Sequence, residues 1–471
     1  MDHKTHIVIF PSPGISHLIP FIELAKRLVS LHNFHVTCLL LTTTDDCNAP
    51  SPAKTAILDS LPAAVDAVFL PPVSFDDLPE DYSPALKLTL TVTRSLSSLQ
   101  TVLESQLSPL SAFIADPFGF ESLEVAKGLN VPSFIFFSTN AMAVSLIVHL
   151  PKLDEEAASV RFLRDLPDLV RLPGCVPLHG KDLIEPLQDR ESQSYESFLK
   201  ISKGLYLPEG IIINSFLDME SEAIKALEAN EGMPRIFPVG PIVQIGSSDG
   251  SECLTWLDQQ PCGSVLYVSF GSGGTLSSDQ LTELAFGLEM SGQRFLWVAR
   301  KPNNESSSGA YLKEGGDPSQ KIESFDYLPD GFLERTKGRG LVVQSWVPQA
   351  QVLSHGSTGG FVSHCGWSSV LESVVNGVPL IAWPLYAEQK MNAVMLVDGL
   401  QVALRPRAGE NGVVGRDEVA RAVKVLMEQS CEEGKKVGNR MNELKEAAAM
   451  ALGKDGSSTR ALSDLASMFE K

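Results

Sequence analysis

The feature that most constrains this chain is a rhythm of short apolar runs, each followed by a stretch with helical periodicity, and the series begins twice. His6–Phe10 reads as a strand, and Leu18–Ser30 as a helix with its apolar stripe on Leu18, Phe21, Ile22, Ala25 and Leu28. His35–Leu41, Ala112–Ala115 and Ser133–Phe137 read as further strands, with Gly210–Ser215 as the last of the first half. Runs this short and this apolar, separated by helical patterns, build a parallel sheet covered by helices on both faces. Proline and glycine punctuation over residues 237–241 and the polar stretch 246–250 then read as a linker. The rhythm restarts with Val265–Phe270, Phe295–Ala299, Leu341–Ser345, Gly359–Ser363 and Val378–Trp383. Residues 301–325, polar and rich in Gly, Ser and Asn, read as a mobile surface loop, and Ser457–Glu470 as the last helix.

At 471 residues the chain is too long for one core. We expect two α/β domains: residues 1–245, joined by the C-terminal helix 456–471, and residues 246–455. Two such halves facing each other imply a ligand cleft at the C-terminal ends of their strands.

Composition narrows the partners. With 38 basic and 57 acidic residues the formal charge is −19, which disfavours nucleic acid and anionic membranes but leaves room for a nucleotide at a local site. The seven cysteines are odd in number and form no CxxC pair, so neither a disulfide framework nor a zinc site is indicated, and a cytoplasmic setting is expected. The first apolar run is too short for a signal-peptide core. The uncharged stretch between Lys127 and Lys152 is interrupted by Pro132, Ser138, Thr139, Asn140 and His149, and reads as a buried strand and core helix, not as a membrane span. Nothing signals self-association, and a monomer is expected.

The richest segment runs from Trp346 to Gln389. There an apolar strand ends at Phe361-Val362, and His364-Cys365-Gly366-Trp367-Ser368-Ser369 turns into a helix. The exposed N–H groups of a helix start attract an anion, and an imidazole and two hydroxyls lie beside them, which makes a diphosphate seat. If helical geometry begins near His364, then His364, Ser368 and Glu372 share one face and Glu372 lies one turn beyond the anion, suited to ribose hydroxyls. Trp346 follows a strand where an indole can stack on a base, and Gln349 can bond ribose or base. Each residue alone has a plainer reading: a core aromatic, helix-start serines, a structural histidine.

In the first half, His17 follows Pro11-Ser12-Pro13-Gly14 between the first strand and helix. A helix N-terminus disfavours imidazolium, and a neutral histidine is suited to taking a proton from a hydroxyl. Asp116 lies just past another apolar strand and can orient His17, by the logic of histidine–aspartate pairs. Equally, His17 can cap a helix and Asp116 start a turn before Pro117. Phe118, Phe120 and Tyr386 can line an apolar pocket. No Asp-x-Asp pair exists to hold a metal on a diphosphate; Asp45-Asp46 and Asp76-Asp77 read as solvated loops.

The segment W-x-P-Q, H-C-G-W-x-S, Glu372, G-V-P and a closing acid-Gln pair closely resembles the signature box of plant family-1 UDP-dependent glycosyltransferases of small molecules. The resemblance spans essentially the whole chain, and SPGISHLIP, LPGCVPLHGKDL, SVLYVSFGSGGTL and PLYAEQKMNAV bring it nearest the subgroup that glucosylates hydroquinone-like and monolignol-like phenols. It implies a GT-B fold, two Rossmann-like domains with the donor held mainly by the second. On matching positions, Trp346 would stack on uracil with Val347 among the donor contacts. Gln349 and Glu372 would hold the ribose, and His364, Ser368, Ser369 and Ser272 the diphosphate. Trp367, Glu388 and Gln389 would meet the sugar; apart from the resemblance, Thr139, just past another strand, can also meet it, although such a residue is more often core. His17 and Asp116 would be the catalytic pair, acting without metal or cofactor on UDP-glucose and a small phenol, with inversion. Two positions depart from the family pattern: Ser368 stands where Asn is usual, and Glu388 where Asp is usual, although the phenol-glucosylating subgroup also carries Glu.

Other readings are another UDP-sugar or a non-phenolic acceptor, a nicotinamide-dependent dehydrogenase, and a UDP-sugar-binding protein without catalysis. Against the dehydrogenase, neither Pro11-Ser12-Pro13-Gly14 nor Gly271-Ser272-Gly273-Gly274 has the G-x-G-x-x-G spacing.

Overall fold

The computed structural model describes residues 5–44, 52–77, 84–105, 109–244, 251–308, 325–344, 347–428 and 431–470. The chain divides into two compact units, one of residues 1–243 with 450–471 and one of residues 244–449.

The first unit is built on seven parallel strands: β1 (His6–Phe10), β2 (His35–Leu40), β3 (Val65–Phe69), β4 (Ala112–Ala115), β5 (Ser133–Phe137), β6 (Gly210–Ile213) and β7 (Arg235–Pro238), in the spatial order β3-β2-β1-β4-β5-β6-β7. β1 pairs in parallel with both β2 and β4, Phe10 standing beside Ala115. Ile7, Val8, Ile9, Ala112, Phe113 and Ile114 are fully out of water, as strands covered by helices on both faces must be. The first helix, Ile15–His32, starts earlier than its apolar stripe suggests, because Gly14 supplies the turn and the polar residues Ser16 and His17 form its first turn. The C-terminal helix Ser457–Phe469 closes the same core, with Leu462, Leu465 and Phe469 buried and Phe469 edge-on to Phe134 at 4.9 Å.

Two expectations need correction here. Gly210–Ile213 is not the last strand of this sheet: Arg235–Pro238, taken in part as linker punctuation, forms β7 at the edge. An edge strand tolerates a residue that cannot donate to the ladder, so Pro238 did not exclude a strand. β3 also went unread, because this edge strand is mostly half-exposed and lacks a continuous apolar run.

The second unit carries six parallel strands: β8 (Val265–Ser269), β9 (Arg294–Ala299), β10 (Gly340–Gln344), β11 (Thr358–Ser363), β12 (Leu380–Ala382) and β13 (Ala403–Leu404), in the order β10-β9-β8-β11-β12-β13. The five strands read from sequence are present within a residue or two at each end, while the two-residue β13 left no periodic signal. The linker stretch 246–250 lies outside the described residues, as do 309–324 of the polar loop. Of that loop, Asn303, Ser306 and Ser307 are bonded back to Leu276 and Thr275. The stretch from Lys127 to Lys152 folds as β5 and the helix Ala141–Glu156, and among the described residues no helix is long and apolar enough to cross a membrane.

Candidate active site

In each unit the strand order reverses once, between β1 and β4 and between β8 and β11. At such a reversal the loops leaving two adjacent strands run apart and open a crevice at the carboxyl edge of the sheet. Several of the residues singled out in the sequence follow the strands at these two reversals: His17 and Asp116 after β1 and β4, Ser272 and His364 after β8 and β11.

In the first unit the loop after β1 brings Ser12, the first turn of the helix Ile15–His32 brings His17, and the loop after β4 brings Asp116. The Asp116 carboxylate is buried and accepts from the Ser12 hydroxyl at 2.8 Å and from the Phe118 amide at 3.0 Å, both on Oδ1. Its Oδ2 stands 2.8 Å from Nδ1 of His17. A carboxylate only accepts, so Nδ1 is the donor in this contact. The His17 ring keeps 15% of its side-chain surface exposed and meets Phe118 edge-on at 5.8 Å. Asp116 also caps the short turn Pro117–Gly119, so its part in the turn and its contact with His17 coexist. Thr139 follows β5, and its buried hydroxyl has no hydrogen-bond partner.

In the second unit β11 ends at Ser363, and the helix Trp367–Asn376 begins with Gly366 as its N-cap and no side-chain cap. The amides of Trp367, Ser368 and Ser369 are therefore first-turn donors. Between strand and helix, Cys365 is forced to φ 65, a left-handed conformation that costs a non-glycine residue about 1–2 kcal/mol. Ser363 Oγ accepting from the Cys365 amide, and Asn392 donating to the Cys365 carbonyl at 2.9 Å, hold it there. This turn corrects the expectation of a shared helical face: His364 precedes the helix, while Ser368 and Glu372 lie on it.

The His364 ring lies between two glycines. A Cβ on Gly271, in the loop after β8, or on Gly366 would stand 2.4 Å from Nε2, so neither position has room for a side chain while the ring stays. Burial, and then the nearby charge of Arg300, bring the His364 pKa down to about 4, so the ring is neutral at physiological pH. Its Nδ1 is buried without a partner. Ser272, in the same loop after β8, is exposed.

One turn along the helix, Glu372 is buried and Gln349 donates to its Oε2 at 2.6 Å and to Ser369 Oγ at 2.8 Å. The Tyr267 hydroxyl donates to Gln349 Oε1 at 3.3 Å, which fixes the amide so that its nitrogen faces the carboxylate. Burial raises the Glu372 pKa to about 7, against the lowering effect of the Gln349 bond. After β12, Ala387 is left-handed at φ 53 and leads into Glu388 and Gln389. Gln389 Oε1 accepts from the amides of Leu385 and Tyr386 at 2.9 and 3.0 Å, which leaves its amide nitrogen as the end able to meet a ligand. Trp367 and Val347 are buried, and Glu388 and Ser368 are half-buried. Trp346 lies outside the described residues.

Residues 243–433 match the family model for UDP-glucoronosyl and UDP-glucosyl transferase. Over 477 aligned residues the chain is 52% identical to a hydroquinone glucosyltransferase of Rauvolfia serpentina, covering 100% of this chain and 99% of that protein. The chain belongs to the UDP-glycosyltransferase family.

Solved members share its architecture. The UGT2 of Phytolacca americana, complexed with UDP-2fluoro-glucose and pterostilbene, superposes with a TM-score of 0.89 at 49% identity, covering 99% of this chain and 100% of that one. A UDP-glucosyltransferase from Polygonum tinctorium capable of glucosylating indoxyl, in complex with 3,4-dichloroaniline, superposes with a TM-score of 0.90 at 48% identity, covering 99% of each chain. The two parallel sheets are those of the GT-B fold, and the dehydrogenase reading falls with the family assignment. The sequence reading of this UDP-glycosyltransferase passed over three residues that touch the candidate site residues: Ser12 on Asp116, Tyr267 on Gln349, and Arg300 on the Gly271–Gly274 turn. Ser12 and Arg300 lie just past strand ends and Tyr267 in the middle of β8, and nothing in the linear sequence links any of them to its partner.

Proposed function

We propose that this UDP-glycosyltransferase moves glucose from UDP-glucose to the hydroxyl of a small lipophilic phenol, with inversion and without a metal, using His17 as general base. The observation that carries the proposal is the contact of His17 Nδ1 with the buried Asp116 carboxylate, which orients the ring and leaves Nε2 to take the proton. Phe118 beside the ring is suited to an aromatic acceptor. The phenolic reading draws support from relatives named for hydroquinone and bound to pterostilbene.

The chemistry is a single displacement. As the acceptor oxygen attacks the anomeric carbon, its proton passes to Nε2 of His17 and the bond from that carbon to the UDP oxygen breaks. Asp116 stabilises the imidazolium that forms. The donor is assigned to residues 246–455, with Trp346 and Val347 at the uracil, Gln349 and Glu372 at the ribose, and Ser272, His364, Ser368 and Ser369 at the diphosphate. Trp367, Glu388 and Gln389 meet the sugar, and residues 1–245 receive the acceptor. First-turn amides and a neutral histidine donate to the leaving diphosphate, which preorganised donors stabilise as its charge grows. Hence no divalent ion is called for.

The test is incubation with UDP-glucose and hydroquinone. Release of UDP together with a product heavier by one hexose and of inverted configuration supports the proposal. A retained configuration, or no transfer to any simple phenol, contradicts it.

A further inference from the structure

A neutral His364 gives the diphosphate a hydrogen bond but no charge, and a helix end supplies only about half a charge. In a chain of net charge −19, a nearby cation on the protein would add to these donors in holding a ligand with two or more negative charges. We propose that Arg300, just past β9, is the positioning residue that puts a positive charge beneath the diphosphate seat and fixes the Gly271–Gly274 turn over it. The inference rests on the reading above that the diphosphate lies at the start of the helix Trp367–Asn376.

Three observations carry it. Arg300 Nη1 donates to the carbonyl oxygens of both Gly271 and Gly274, the ends of the turn that carries Ser272, the second contact at 3.2 Å. In a trans peptide the carbonyl and the following N–H point in opposite directions. Holding the Gly271 carbonyl on the guanidinium therefore turns the Ser272 amide away from Arg300. Gly271 in turn packs against the His364 ring so closely that no Cβ fits between them, and it needs φ 72 to make the turn, so Arg300 and His364 both bear on the same residue. Finally, the guanidinium is half-buried, and burial lowers its pKa, yet an arginine side chain stays charged. A cation partly withdrawn from water acts over a longer range than a surface one, and the nearby charge of Arg300 adds to burial in lowering the pKa of His364.

The test compares the affinities of UDP and uridine, by calorimetry, in the parent protein, in the neutral variants Arg300→Met and Arg300→Gln, and in Arg300→Lys. Uridine lacks the phosphates, so it reports on the fold and on the base and ribose contacts alone. Either neutral variant is expected to lose roughly tenfold or more in UDP affinity with uridine unchanged, whereas Arg300→Lys, which keeps the charge, stays within about threefold of the parent. Equal weakening of UDP and uridine, unchanged UDP affinity in the neutral variants, or a lysine variant as poor as they are would each overturn the role of Arg300. A parent that binds uridine as tightly as UDP would instead remove the diphosphate seat itself, and the proposal with it.

Discussion

Gln349 donates to Oε2 of Glu372 at 2.6 Å inside a site so dry that the carboxyl titrates near neutrality. Its pKa is raised to about 7, first by burial. The folded protein therefore holds a proton between about pH 4.5 and 7 that an unfolded chain has released, so this group favours the fold at low pH and the contribution is lost as pH rises through 7.

Ribose hydroxyls donate best to the ionised carboxylate. Uridine binding near pH 6 should thus expel a proton, and the observed heat should vary with the ionisation enthalpy of the buffer. Uridine is the probe because it has no phosphate to titrate. Glu372→Gln should abolish the buffer dependence, and a parent without that dependence would take Glu372 off the ribose.

Gly366→Ala isolates the packing of His364. The backbone there has φ −61, which any residue adopts, so the only penalty is a Cβ placed 2.4 Å from Nε2. The ring must move, and overpacking of this kind costs about 1–3 kcal/mol. We expect UDP affinity to fall roughly fivefold or more while the melting temperature drops by only a few degrees. Unchanged UDP binding would mean that the position of His364 is immaterial to the donor.

Ser12→Ala removes one of the two donors on Asp116 Oδ1 and leaves the Phe118 amide. A hydrogen bond to a charged group is worth about 1.5–3 kcal/mol, so kcat should fall roughly tenfold or more with donor KM unchanged. Ser12→Thr should restore most of the rate. A fall in donor affinity with kcat intact would detach Ser12 from the acid–base step.

Among the described residues no group of three or more His, Cys, Asp or Glu side chains is arranged to hold a metal ion, and the chain has no Asp-x-Asp. EDTA should leave the transfer rate unchanged. A rate that collapses with chelator and returns with magnesium would show that the helix start and Arg300 do not suffice for the leaving diphosphate.

Both sheets could be read from the sequence because strands buried on both faces write continuous apolar runs, as at Ile7–Phe10 and Val265–Ser269. Edge strands such as Val65–Phe69 and Arg235–Pro238 face water or end in proline and leave a weaker trace. The candidate site divides in the same way. The stretch from Gln349 to Gln389 is local enough for its spacing to suggest a site, although the left-handed Cys365, invisible in the residue order, displaced His364 from the expected helical face. Ser12 and Asp116 are 104 positions apart, and Arg300 and Gly271 are 29 apart. Only the parallel strand order brings such pairs to one sheet edge, and that order is a property of the fold, not of any segment.

The most direct measurement is the turnover of His17→Ala with UDP-glucose and hydroquinone, alongside its affinity for UDP. We predict a fall in kcat of roughly a hundredfold or more with the UDP dissociation constant unchanged, because the variant removes the base and leaves the donor box intact. Turnover close to that of the parent, across the neutral pH range, would contradict the assignment of His17 as the group that takes the acceptor's proton.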